Sequence, residues 1–214
     1  MKVVLLHAFP LDERMWSPQR PALEGHDVVA PNLYDLGGNS IDGWAERILA
    51  DLADDFVAVG ASMGGYVALA MARAAPERTR GLLLAGSRAG ADSAERRAAR
   101  DEGIRVLREE GIEAWESQSP APPPPERTVD ELVRATEALR DRRDASDVVR
   151  AFSGPLALVV GDRDDFLPLD EGRQIAGSAA DGRLYVLEDT GHFSSIERPK
   201  RFNGILSELL QAVH

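Results

Sequence analysis

The chain of 214 residues carries 36 Asp and Glu against 25 Lys and Arg, a formal net charge of −11, with 43% hydrophobic residues and no cysteine. That length supports one sizeable core, so a single domain is the expectation. The composition rules out a disulfide framework and a thiolate metal site or nucleophile, and the acidity disfavours nucleic acid and anionic membrane surfaces as partners.

The first apolar run, residues 3–6, breaks at His7, and no small-residue cleavage site follows it. It reads as a buried strand and not as a signal peptide, which with the lack of cysteine points to the cytoplasm. No later apolar run approaches the length of a membrane span. Further short apolar runs fall at residues 28–30, 56–59, 82–85, 156–160 and 184–187. Several are continuous and not alternating, as strands covered on both faces are. Helical patterns at residues 40–52, 66–74 and 169–179 lie between them. This alternation predicts an α/β fold with a mostly parallel sheet of about six strands and right-handed crossovers.

Residues 88–150 break the alternation. A charged helical pattern at 93–110 is interrupted by Gly103 and stopped by Gly111, a short pattern follows at 112–116, and Pro120-Ala121-Pro122-Pro123-Pro124-Pro125 comes next. That proline run can be neither helix nor central strand and predicts a stiff, extended connector. Thr128 and Glu131 then form a capping-box pattern, with Val129, Leu132, Val133, Thr136 and Leu139 at helical spacing behind it. We read 88–150 as a small helical cap on a core made of 1–87 and 151–214. An interdomain linker is disfavoured, because only one strand–helix–strand unit would remain after it.

The run at 56–59 leads directly into Gly60-Ala61-Ser62-Met63-Gly64-Gly65 and then a helical pattern. G-x-S-x-G between strand and helix is the nucleophile-elbow arrangement: a tight turn projects the serine hydroxyl beside the positive end of a helix. The bland alternative is a glycine-rich turn with an incidental serine. Two later segments favour the first reading. Gly161-Asp162-Arg163-Asp164-Asp165 follows the run at 156–160, and Gly191-His192-Phe193 follows 184–187. Serine, acid and histidine at successive strand ends are the order a Ser-His-acid triad takes in open α/β sheets. His192 would take the Ser62 proton and return it to the leaving group, and a carboxylate would orient the imidazole. By residue type alone Asp162, Asp164 and Asp165 compete for the acid. The other histidines read blandly: His7 as a loop brace at a strand end, His26 in a polar loop, His214 at the chain end. The N–H groups of Met63 and of Phe9 are the expected oxyanion donors.

Together these segments resemble the α/β-hydrolase superfamily over essentially the whole chain. The resemblance is strongest to small bacterial carboxylesterases and 3-oxoadipate enol-lactonases, through Leu5-Leu6-His7-Ala8-Phe9-Pro10 with Met15-Trp16, the serine motif, Gly161-Asp162-Arg163-Asp164 with Pro168, and Gly191-His192. It implies Asp164 as the acid, and Phe9 and Met63 as the oxyanion donors. The chain departs from the family in having Ala8 where glycine is usual, a longer segment at 32–40, a short cap and no initial antiparallel hairpin.

The leading expectation is hydrolysis of a small ester or lactone through an acyl-enzyme on Ser62, without cofactor. Trp16, Trp115, Phe166, Leu167 and Phe193 are candidate substrate-binding walls, and any of them could equally be core. A C–C bond hydrolase or a lyase would use the same triad, and a ligand-binding protein could retain the scaffold. No phosphate-binding glycine loop or metal-ligand spacing is present. Ser194 and Ser195 read as loop hydrogen-bonders. A homo-oligomer is compatible with the sequence.

Overall fold

In the computed structural model, which describes residues 1–213, the apolar runs form β1 (Lys2–Leu6), β2 (Asp27–Val29), β3 (Phe56–Ala61), β4 (Thr79–Ala85), β5 (Pro155–Gly161) and β6 (Asp181–Leu187). They make one six-stranded sheet in the order β2-β1-β3-β4-β5-β6, and every neighbouring pair is parallel. Alternate residues along each strand face opposite sides. Val4, Leu6, Ala58, Leu82, Leu84 and Leu158 face α1 (Ile41–Ala50) and α2 (Met63–Ala74). Val3, Leu5, Val57, Val59, Leu83 and Val159 face a long 3₁₀ segment, Glu13–Leu23, and the last helix, Pro199–Ala212. Both faces are therefore covered, which explains why β3 is buried at all six positions.

Between β4 and β5 run α3 (Ala94–Glu109), α4 (Ile112–Glu116), α5 (Val129–Arg140) and α6 (Ser146–Ala151). The capping box at Thr128 and Glu131 forms. Gly103, expected to interrupt α3, lies inside it without a break. One internal glycine costs a helix about 1 kcal/mol, and burial of Ile104, Val106 and Leu107 in the same core as α5 outweighs that. The proline run adopts neither helix nor strand. It is followed by Glu126, ion-paired to Arg14, and by Arg127, whose guanidinium sits 5.0 Å from the Tyr34 ring centre.

α7 (Leu169–Ser178), α8 (Ser194–Glu197) and α9 (Pro199–Ala212) complete the order. No helix among the described residues is long and apolar enough to cross a membrane. His214 lies outside the described residues.

Candidate active site

The strand order reverses between β1 and β3, because β1 is followed in sequence by a neighbour on one side and then by a neighbour on the other. Chains leaving these two strand ends diverge and open a crevice there. The loop 7–10 leaves β1 on one side of it, and Ser62 leaves β3 on the other.

Ser62 has φ 48° and ψ −110°, a left-handed conformation that costs a non-glycine residue about 1–3 kcal/mol. The turn is held at both ends of the residue. Its N–H donates to the Ala85 carbonyl at 2.7 Å, and its own carbonyl accepts from the Gly65 N–H at 3.0 Å. Gly64 is required by close approach, since a methyl group there would sit 1.9 Å from the Leu6 carbonyl oxygen. Met63 opens α2, so its N–H has no acceptor within the helix.

His192 Nδ1 lies 2.9 Å and 3.0 Å from the two carboxylate oxygens of Asp164. Asp164 Oδ1 also accepts the N–H groups of Phe166 at 2.8 Å and Leu167 at 3.1 Å, and the residue is buried. The neighbouring acids are placed elsewhere. Asp162 accepts the Thr190 N–H at 2.9 Å, which holds its carboxyl below the usual range and braces the histidine loop, while Asp165 is exposed. Of the three acids, only Asp164 reaches the imidazole.

The loop carrying His192 has a second support, Glu197, that no motif singles out. Glu197 accepts the Gly191 N–H at 2.7 Å and the Phe193 N–H at 2.9 Å, bracketing the histidine on both sides. A carboxylate five residues after a histidine carries no recognisable spacing by itself. Ser194 and Ser195 are buried beside it.

Ser62, His192, Phe9, Trp115 and Phe166 line one cavity of about 320 Å³ roofed by α3, α4 and the segment after α4. Phe166 lies against His192 with ring centres 4.6 Å apart, and Phe9 meets Trp115 edge-on at 5.4 Å. The remaining wall candidates lie elsewhere. Trp16 packs against Phe202 in the core beneath the opposite face of the sheet, because the chain passes under that face after Pro10. Leu167 is buried beside Asp164 and contributes its N–H in place of a wall. Phe193 turns its ring edge to His192 at 5.3 Å and packs into the same lower core as Trp16.

His7 is fully buried, and its Nε2 accepts the Leu33 N–H at 2.9 Å. The ring proton therefore resides on Nδ1, which donates to the Ala8 carbonyl at 3.1 Å. Burial lowers its pKa to about 4, so it is a neutral brace at neutral pH. Among the described residues no three His, Cys, Asp or Glu side chains converge as metal ligands.

The chain as a whole has counterparts among known proteins. The model of the alpha/beta hydrolase family matches residues 3–205. The chain belongs to the alpha/beta hydrolase family. A thermophilic esterase from Thermogutta terrifontis, solved with malate bound, shares 27% identity and superposes with a TM-score of 0.89 over 100% of this chain and 90% of its own. The enol-lactonase of Burkholderia xenovorans has the same fold, with a TM-score of 0.81 at 22% identity over 98% of this chain and 91% of its own. In sequence, a 2-hydroxymuconate semialdehyde hydrolase of Pseudomonas sp. (strain CF600) is 28% identical over 91% of this chain and 80% of that protein. A pimeloyl-[acyl-carrier protein] methyl ester esterase of Aromatoleum aromaticum is 37% identical over 91 residues, 40% of this chain. The matched stretch spans 36% of that esterase.

Proposed function

We propose that this alpha/beta hydrolase cleaves a small carboxylic ester or lactone through an acyl-enzyme on Ser62. The observation that carries the reading is the His192–Asp164 pair on the same cavity as Ser62, at the crevice where the strand order reverses.

With Nδ1 turned to Asp164, His192 offers Nε2 to the cavity side and takes the Ser62 proton as the oxygen attacks the substrate carbonyl. The carbonyl oxygen becomes an oxyanion, which the N–H groups of Phe9 and Met63 would hold. Each such donor contributes about 3 kcal/mol to the transition state. The imidazolium, stabilised by Asp164, protonates the departing alkoxide. Water then attacks the acyl-enzyme by the same route, and His192 returns the proton to Ser62. In this reading residues 88–150 act as the cap and the rest as the core that carries the reacting groups.

A C–C bond hydrolase reading has one specific support, the 2-hydroxymuconate semialdehyde hydrolase relative that matches along most of the chain. It requires the same three side chains.

The test is hydrolysis of p-nitrophenyl esters from acetate to octanoate by the wild type and by Ser62→Ala, alongside labelling with a fluorophosphonate. Turnover and labelling in the wild type, both lost in Ser62→Ala, are expected. A folded wild type that neither turns over nor takes the label overturns the reading.

A further inference from the structure

Arg100, on α3, lines the same cavity as Ser62 and His192. Its one hydrogen bond is long, from Nε to Asp92 Oδ2 at 3.4 Å. A guanidinium carries five N–H donors, so most of Arg100's have no acceptor among the described residues. Asp92 is buried with its other oxygen 2.7 Å from Arg142 Nη2. Arg142 is itself fixed, through Nη1 to the Leu139 carbonyl at 2.8 Å and by its guanidinium 4.1 Å from the Tyr66 ring centre. Two guanidinium groups thus share one carboxylate, which leaves an excess positive charge, with Arg100 as the member that reaches the cavity.

The other ionisable wall residues do not cancel it. Glu102, also on the cavity wall, is exposed and is engaged by Arg105 at 2.7 Å and 3.0 Å. His192 is committed to Asp164. Phe9, Trp115 and Phe166 supply apolar surface on the same cavity.

We infer that the substrate carries a second, ionised carboxylate, joined to the ester by a short apolar chain, and that Arg100 is the residue selecting it. The planar fork matches a carboxylate in a bidentate arrangement, and the partly sheltered position limits screening by salt. This inference rests on the ester-hydrolase reading for the scissile bond, and on Arg100 alone for the anion.

The experiment compares monomethyl glutarate and monomethyl adipate with the methyl esters of the corresponding monocarboxylic acids. In the wild type, kcat/KM is expected to favour the anionic ester by roughly 10- to 100-fold, carried mainly by KM. Arg100→Gln brings that ratio to about one or below, and Arg100→Lys retains part of the preference. A wild-type ratio at or below one, or a ratio that Arg100→Gln leaves intact, overturns the inference. Two measurements on the wild type need neither variant to fold, and the second of them needs no ester to turn over. Adipate should compete with p-nitrophenyl butyrate more strongly than adipamide does, and it should perturb tryptophan fluorescence by saturable binding. Failure of every ester with adipate still bound removes the hydrolase reading and leaves the anion site. Ester turnover with adipate no better than adipamide removes the anion site and leaves the hydrolase.

Discussion

The Ser87 hydroxyl donates to the carbonyl of Ser62 at 3.0 Å, so the residue just beyond β4 holds the strained turn at the end of β3. The same hydroxyl reaches the Ala85 carbonyl at 3.1 Å, and Ala85 in turn accepts the Ser62 N–H. Ser87 is fully buried and never meets the cavity. Its role is to keep Ser62 in a conformation the backbone would otherwise leave.

Ser87→Ala should therefore lower activity more than stability. Losing one shared hydrogen bond costs about 1 kcal/mol, or roughly 2–4 °C in Tm for a chain of this size. Relaxation of the elbow should lower kcat with little change in KM, because the serine oxygen is displaced while the cavity walls stay. Thermal melts and ester kinetics on the same preparation check this. Loss confined to Tm contradicts it.

Gly86 has φ +59°, and a methyl group there would stand 3.0 Å from both Asp164 Oδ2 and His192 Nδ1. Both atoms belong to the His192–Asp164 pair whose contact the proposed mechanism uses. Gly86→Ala combines an unfavourable backbone conformation with pressure on that contact. Displacement of reacting groups by about 1 Å costs on the order of 100-fold in rate, and a loss of that size is expected in kcat/KM. Circular dichroism establishes that the variant is folded, and kinetics near those of the wild type would show that the pair tolerates the methyl.

His7 makes stability depend on pH. Its folded pKa of about 4 lies below the ordinary value of 6.5, so the unfolded chain binds the proton more readily. Stability is full above pH 6.5 and falls as the pH drops towards 4, by about 3 kcal/mol in all. Protonation also removes the acceptor for the Leu33 N–H. The carboxylates with lowered pKa, such as Asp12 and Asp141, start from an ordinary value of 3.8 and act below this window. Urea midpoints measured between pH 7 and pH 4 should decline in the wild type and decline much less in His7→Gln.

The six strands were legible because each contains a short apolar run bounded by polar turns. The cover on both faces that continuous runs imply holds for β1, β3, β4 and β5, while the edge strands β2 and β6 are mostly exposed or half-buried. The Ser62 turn was legible because glycine is demanded on both sides of it. Three things were not. Asp162, Asp164 and Asp165 are equivalent as residue types, so that Asp164 was reached only through the family resemblance, and the physical distinction is the turn that aims the Phe166 and Leu167 N–H groups at it. Trp16 and Trp115 have the same tendency to be buried, but burial does not say on which face of the sheet. Arg100 stands within a run of Arg and Glu that reads as a solvated helix surface, and only the path of α3 over the cavity sets it apart.

The division of the chain at β4 and β5 gives the molecule two kinds of part. In the proposed reaction the bond-making groups hang from the ends of the parallel strands β3, β5 and β6. The cation that would sort one substrate from another hangs from helices inserted between two of those strands. Replacing the inserted helices would re-address the enzyme to a different molecule while the chemistry beneath continued unchanged, much as a new keyway can be cut without altering the bolt.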